Sequence, residues 1–307
     1  MKAQIPDGVW PTMLTPFTNT NKIDYLALEK LINWYIDHQV NGLFAVCQSS
    51  EMFYLTLEER VQVASFVKEN VKGRVPVIAS GHISESLKAQ VKELNEMAQT
   101  GINALVLITN RFAGKDESDD LWFENMEKLL KEIPEYIALG LYECPYPYKR
   151  VLSPLLLKRC ADTGRFYFLK DTSCDIENIK AKIEVTKGSG LKIYNANSAT
   201  LLESLELGVS GYSGVMANFH PELYVWMIRN WSAYPEKAKR LSNFLSVSSH
   251  IEKQLYPVNA KYSLSLDGIL ANYLSRSKDY ELFSISNRLE IEQLSELTKE
   301  YIDKYTL

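Results

Sequence analysis

The stretch FYFLKDTSCD, residues 166–175, joins two patterns that together decide the fold. Four apolar residues suited to a buried strand run straight into Lys170. Beyond it the polar residues Asp171, Thr172, Ser173 and Asp175 lead into the helix-like repeat Ile176, Ile179 and Ile183. A buried strand followed at once by a helix is one βα unit, and it ends on an ammonium group.

The same unit recurs outward in both directions. Apolar runs lie at 8–15 (GVWPTMLT), 42–47 (GLFAVC), 75–80 (VPVIAS), 104–109 (ALVLIT), 136–142 (YIALGLY), 191–195 (LKIYN) and 210–215 (SGYSGV), besides 166–170. Helical patterns fall near 26–38, 56–71, 86–99, 119–132, 153–162, 175–186, 198–207 and 221–232, and TLEE at Thr56 to Glu59 reads as a capping box. Eight strand-helix units predict an α/β chain closed as a (β/α)8 TIM barrel over residues 1–233. From about residue 235 strand-like runs cease, and KAKRLSNFLSVSSHIEKQL, KYSLSLDGILANYL and ELFSISNRLEIEQLSELTKEYI predict a C-terminal helical extension over 234–307.

With 307 residues and 46% hydrophobic composition, the chain can bury a large core. Its 34 Lys plus Arg against 38 Asp plus Glu are scattered, giving a net charge of −4 and no basic footprint for nucleic acid or an anionic membrane. Met1 is followed by KAQIPDGVW without the apolar stretch of a leader, and four cysteines without CxxC spacing suit a reducing compartment. A cytoplasmic protein acting on a small molecule is expected.

In such a barrel the loops after the strands form the active-site face. Lys170 sits there, with Gln48, Ser49, Ser50 and Glu51 after the second run, Tyr142 ending the fifth, and Asn195 and Asn197 about the end of the seventh. An amine walled by apolar groups loses ammonium solvation and becomes a nucleophile toward carbonyls, so Lys170 could form a Schiff base. It could equally snorkel outward or pair with Asp171 or Asp175. Tyr142 suits proton transfer or an amphipathic wall. Ser49 and Ser50 suit a bound carboxylate or an ordinary turn and helix cap.

WPTMLTPF, SSE followed by LTLEER, Tyr142 to Pro145 as YxxP, LKDTSCD around Lys170 and GVMAN at 214–218 occur in an order that resembles the N-acetylneuraminate lyase and dihydrodipicolinate synthase family. The likeness spans nearly the full chain. It implies a class I aldolase or lyase in which Lys170 forms a Schiff base with pyruvate or another 2-oxo acid, cleaving or forming a C–C bond or dehydrating a sugar acid. It implies no cofactor and no metal. Tyr142 matches the family's general acid/base. Ser49 stands for the threonine whose hydroxyl lies between the carboxylate and the tyrosine, within a turn at Cys47 to Glu51 where Gln48 and Ser50 replace the usual residues. Substrate-binding positions are expected at Gln48, Ser50, Thr172, Asn197, Ser213 and Val215.

The chain departs from the family where substrates are told apart. The synthases carry an intersubunit relay tyrosine after the fourth strand; Phe112 falls near that place and cannot relay a proton. Pro147 replaces an arginine of the synthases, with Lys149 and Arg150 displaced from it. The acidic pair that sialic acid lyases use after the seventh strand becomes Ser198 and Ala199, and Val215 replaces their serine after the eighth. Arg111, Phe112, Lys149 and Arg150 are the candidates for reading the distal end of a substrate. The resemblance also implies a homo-oligomer, a dimer or tetramer.

Cys47, Cys144 and Cys174 map near the mouth and read as small buried fillers, His82 and His220 as structural hydrogen-bonding residues. Two rival readings remain: a non-catalytic 2-oxo acid sensor or regulatory paralogue, and a phosphate-binding barrel using GVSGYSG.

Overall fold

The computed structural model describes residues 5–305, so the first four residues, part of the leader reading, and the last two lie outside the described residues. Eight parallel strands run β1 (Gly8–Val9), β2 (Leu43–Phe44), β3 (Val77–Ala79), β4 (Ala104–Ile108), β5 (Ala138–Tyr142), β6 (Phe166–Asp171), β7 (Lys192–Asn195) and β8 (Gly211–Tyr212). They are hydrogen-bonded in the order β1-β8-β7-β6-β5-β4-β3-β2. A parallel bridge between Thr12 and Phe44 joins the two ends, with Met13 N–H donating to Phe44 O (3.0 Å) and Phe44 N–H to Pro11 O (3.0 Å). The sheet therefore closes into a (β/α)8 barrel.

The ladders are shorter than the apolar runs. Pro11 has no N–H to give, which interrupts the first run between β1 and the bridge. At Gly211 a Cβ would lie 1.9 Å from the Gly8 carbonyl oxygen, so only glycine lets β8 approach β1.

The helices α1 (Tyr25–Asp37), α2 (Leu57–Asn70), α3 (Leu87–Ala98), α4 (Asp119–Leu130), α5 (Pro154–Asp162), α6 (Ile176–Thr186), α7 (Leu201–Leu207) and α8 (Pro221–Asn230) follow the strands in turn. The first six start on side-chain caps, Asp24, Thr56, Ser86, Ser118, Ser153 and Asp175, which accept from the first-turn N–H groups. At α2 the capping box is complete, with Glu59 returning to the Thr56 N–H.

Beyond the turn at 231–234, α9 (Pro235–Ser248), a 3-10 segment (Ser249–Lys253), α10 (Val258–Leu266) and α11 (Ile285–Tyr305) form the C-terminal helical extension. The helix expected across KYSLSLDGILANYL stops at Leu266. Gly268, at φ +70°, takes the left-handed turn there, and the Ile269 N–H caps Leu264 O.

The extension is tied to the barrel through Glu51, a buried carboxylate at φ 62° in the loop after β2. Its Oε1 accepts from Lys261 Nζ (2.5 Å), and its Oε2 from the Ser275 hydroxyl and the Ser277 and Arg276 N–H groups (2.7 Å each). Burial works to raise this carboxyl, but Lys261 and the other donors outweigh it and hold Glu51 below the usual carboxylate range.

Candidate active site

Strand alternation sorts the residues at the ends of β5 and β6. Tyr142 pairs in register with Lys170, and both side chains turn into the barrel, where Lys170 Nζ stands 4.9 Å from the centre of the Tyr142 ring. The next residues, Glu143 and Asp171, turn outward to the helical layer. There the Lys182 ammonium of α6 meets Glu143 Oε1 at 2.5 Å and Asp171 Oδ2 at 2.6 Å, all three side chains fully buried. Glu143 also accepts from the Leu152 N–H (2.8 Å) and Thr172 N–H (2.9 Å). Burial lowers the Lys182 ammonium's pKa, but the two carboxylates prevail and raise it. Two carboxylates on one ammonium leave a surplus negative charge, and burial lifts Glu143 to about 7 against the pull of Lys182.

Neither carboxylate offered by the sequence pairs with Lys170. Asp171 is engaged by Lys182, and Asp175 caps α6 through the Glu177 and Asn178 N–H groups. Lys170 is only 3% exposed, and burial lowers its pKa to about 8, with the Glu252 carboxylate pulling it part of the way back. Roughly a tenth of the amine is then neutral at pH 7, against less than one part in a thousand for an ordinary lysine. Burial raises both thiols, Cys144 to about 11, so they stay protonated. It also keeps Tyr142 protonated, raising its phenol well above the ordinary value.

Lys170 opens into a cavity of about 310 Å³ at the carboxyl ends of the strands. Tyr142, Lys149, Thr172, Asn197 and Val215 line it from the barrel. Glu252, Lys253 and Tyr256 line it from the C-terminal extension. Two larger depressions, about 540 and 690 Å³, lie under the opposite ends of the strands, around Val75, Asn103 and Tyr167, away from Lys170.

The turn after β2 is held from within: Ser50 Oγ accepts from the Cys47 N–H (2.8 Å) and donates to the Cys47 carbonyl (2.7 Å). Ser49 donates to Thr12 Oγ1 (3.1 Å), and Gln48 Oε1 accepts from the Cys144 thiol (3.4 Å). Thr172 Oγ1 donates to Glu143 O (2.7 Å), and Ser213 Oγ donates to Trp10 O (2.9 Å), which commits both hydroxyls to the scaffold. Asn197 Oδ1 accepts from the Thr200 N–H (3.1 Å).

The distal candidates separate. Lys149 lines the cavity, its Nζ donating to Thr172 O (2.7 Å). Arg150 does not read the cavity: it is buried, donating to Gly114 O, Glu117 O and Asp119 Oδ1 (2.6, 2.9 and 3.0 Å), and so braces the loop before α4. Phe112 is 3% exposed with its ring against Trp122 at 4.9 Å, so it neither faces the cavity nor reaches out to another chain. Arg111 lies over the Phe53 ring, 5.6 Å from its centre. Ser198 is taken up by the Tyr212 and Tyr224 hydroxyls (3.2 and 2.6 Å). Cys174 is exposed rather than buried. His82 accepts from the Ile108 N–H (2.6 Å), and burial lowers both His82 and His220 to about 3, leaving them neutral.

Glu252, Lys253 and Tyr256 do not emerge from sequence reasoning because they belong to the helical extension. The available signal is the proline after Tyr256, which breaks the helical pattern where the chain crosses the mouth.

The closed barrel with a buried lysine at its mouth suits a lyase of the class I aldolase type, and comparison with known proteins shows that class. The sequence profile of the Dihydrodipicolinate synthetase family matches residues 5–284, and the chain belongs to that family. It is 30% identical over 217 residues to the 4-hydroxy-tetrahydrodipicolinate synthase of Clostridium perfringens, covering 70% of this chain and 72% of that one. Among solved structures, Bacillus anthracis dihydrodipicolinate synthase DapA-2 superposes with a TM-score of 0.85 at 21% identity, covering 94% and 97% of the two chains. YagE, a prophage protein of E. coli belonging to the dihydrodipicolinic acid synthase family and solved with pyruvate, gives 0.84 at 22%, covering 96% and 98%. Both structures share the fold. No helix among the described residues is long and apolar enough to cross a membrane.

Proposed function

We propose that the protein is a Schiff-base lyase or aldolase acting on pyruvate or another 2-oxo acid through Lys170. The observation that carries this reading is the buried Lys170 amine, lowered to about 8, beside Tyr142 at the floor of the cavity. The neutral amine adds to the C2 carbonyl, and the carbinolamine loses water to give an imine. The protonated imine takes up the electron pair as an enamine when a proton leaves C3 or the C3–C4 bond breaks; the enamine carbon then takes a proton or adds to an aldehyde, and hydrolysis of the restored imine releases the 2-oxo acid and the amine. Tyr142 is the group to carry protons to and from the leaving or attacking oxygen. The Gln48–Ser50 turn, with Ser49, is the place for the carboxylate.

For the second substrate, the class I aldolase reading favours an aldehyde condensing with pyruvate. Pro147 offers no cation in the place of the synthases' arginine, and the cavity rim mixes Glu252 with Lys149 and Lys253 rather than presenting a cationic clamp for an anionic aldehyde. An uncharged hydroxyaldehyde, released by retro-aldol cleavage or joined by condensation, suits Glu252, Asn197 and Lys149 better. Dehydration of a deoxy sugar acid would use the same groups. The family likeness supports a homo-oligomer in the cytoplasm.

The test is incubation with pyruvate, borohydride reduction and peptide mass analysis. A reduced pyruvyl adduct on Lys170, absent from Lys170→Ala, is expected. No adduct with pyruvate or with a panel of 2-oxo acids would overturn the lyase chemistry in favour of a binding protein.

A further inference from the structure

The seam between the barrel and its C-terminal extension holds another cavity, of about 250 Å³, which shares no lining residue with the one at Lys170. Four helices frame it. α1 and α10 both end there: Trp34 lies in the last turn of α1 and His38 follows it, while Ser263 lies in the last turn of α10 and Asp267 follows it. Their carbonyl ends bring partial negative charge to the cavity. α8 begins there with Glu222 in its first turn, and α11 passes alongside with Ser295 and Thr298.

Glu222 is short of donors. Its Oε2 is buried without a hydrogen-bond partner, and its Oε1 stands 3.8 Å from His38 Nε2, too far for a hydrogen bond. The His38 ring is already turned by another contact, for Nδ1 lies 2.7 Å from Trp34 O and a carbonyl can only accept, so Nδ1 carries a hydrogen. In the neutral ring Nε2 is then an acceptor facing a second acceptor. Burial raises the Glu222 carboxyl against the pull of His38, as expected of a charge with too few partners. Buried acceptors are normally paired, so the missing donor has to come from the cavity.

The surroundings define that donor. Glu222 and the exposed Asp267 outnumber the exposed Lys299, the one ammonium on the rim, which leaves the cavity negative. Among the described residues no three His, Cys, Asp or Glu side chains are grouped to ligate a metal ion. The remaining walls are apolar and aromatic, with Trp34 and Phe219 foremost, and suit CH2 groups and a cation near a ring face. The volume lies below the roughly 300–1,000 Å³ of sites for drug-sized ligands, so the ligand is small.

We propose that this cavity binds a small primary alkylammonium ion, its N–H groups on Glu222 and its alkyl body against Trp34 and Phe219. Such a ligand touches α1 and α8 of the barrel and α10 and α11 of the extension at once. It therefore fastens the extension to the barrel, and α10 follows closely on Tyr256, which lines the Lys170 cavity. The site is independent of the chemistry at Lys170.

The test uses the full chain and n-butylammonium chloride, with n-butanol as the uncharged probe and sodium chloride as the ionic-strength control. Calorimetric titration should show saturable binding of one n-butylammonium per chain with a Kd of about 1 mM, within reach of a ligand this small. The thermal unfolding midpoint should rise with n-butylammonium and not with equal sodium chloride. n-Butanol should bind at least tenfold more weakly. Glu222→Gln, which keeps the shape and removes the charge, should weaken n-butylammonium binding about tenfold or more, as expected of a charge-assisted hydrogen bond. Ser295→Phe, which fills the cavity and leaves Glu222 in place, should abolish saturation. No saturable binding to wild type, equal binding of n-butanol, or unchanged binding to either variant would overturn the proposal. Should Glu222→Gln fail to fold, Ser295→Phe and the n-butanol comparison decide the matter.

Discussion

Tyr142 and Lys170 are register partners on β5 and β6, and the residue after each of them reaches the same ammonium, that of Lys182. The two cavity side chains are therefore set from behind. Any shift of Glu143 or Asp171 moves the strand ends that carry the phenol and the amine.

Lys182→Met should leave two buried carboxylates without a counter-charge. Breaking a buried pair by removing one partner costs about 3–5 kcal/mol, less whatever the carboxyls recover by taking up protons. A denaturant-unfolding midpoint matching wild type would contradict this account of the cluster.

Imine formation should follow the Lys170 amine. Below about pH 8 the ammonium form predominates and cannot attack, so the rate of trapping with pyruvate should rise about tenfold per pH unit below the midpoint and level off above it. The Glu252 charge favours the ammonium, so Glu252→Gln should move the midpoint to lower pH. Stopped-flow measurement of imine formation gives both values. A midpoint near that of an ordinary lysine would mean that the amine is far better solvated than the barrel allows.

Tyr142→Phe keeps an aromatic ring beside Lys170 and removes the hydroxyl. Trapping should survive, while methyl-proton exchange and any aldol turnover should fall by about 10²–10⁴. Comparing the two rates on one preparation separates this loss from misfolding.

Arg150→Met should destabilise without redirecting specificity. Its guanidinium satisfies two loop carbonyls and pairs with Asp119, and leaving such groups unpaired costs about 1–3 kcal/mol. The ranking of aldehyde partners in a condensation screen should stay as in wild type. Lys149→Met, whose ammonium lines the cavity, should instead change the KM for the aldehyde.

The barrel was legible in the sequence because its signals are local. Apolar runs, caps such as Thr56 with Glu59, and the polar residues past each run all lie within a few positions of one another. Lys170 and Tyr142 stood out as candidates in the same way, as polar residues ending apolar runs, and the structure brings both to one cavity. What escaped depends on contacts distant in sequence. Nothing near Arg150 says that its charge turns inward to Gly114 and Glu117, and nothing near Tyr256 says that it lines the cavity with Tyr142 and Lys170. The ladders at β1 and β8 shrank for a similar reason, since pairing depends on the neighbouring strand as well as on apolarity. The break at Gly268 had a local cue, the Asp-Gly pair, overridden by the apolar repeat on either side.

Glu51 joins a turn near the beginning of the chain to Lys261, Ser275 and Ser277 near its end. During synthesis the early βα units leave the ribosome long before those donors exist, since chains grow at about 5–20 residues per second. Until then the carboxylate has only water for company, and the loop carrying Ser49 is held only by its own early contacts, Ser50 on Cys47 and Ser49 on Thr12. The cavity is thus completed only after residues 261–277 have been made, and a half-made chain has no finished pocket.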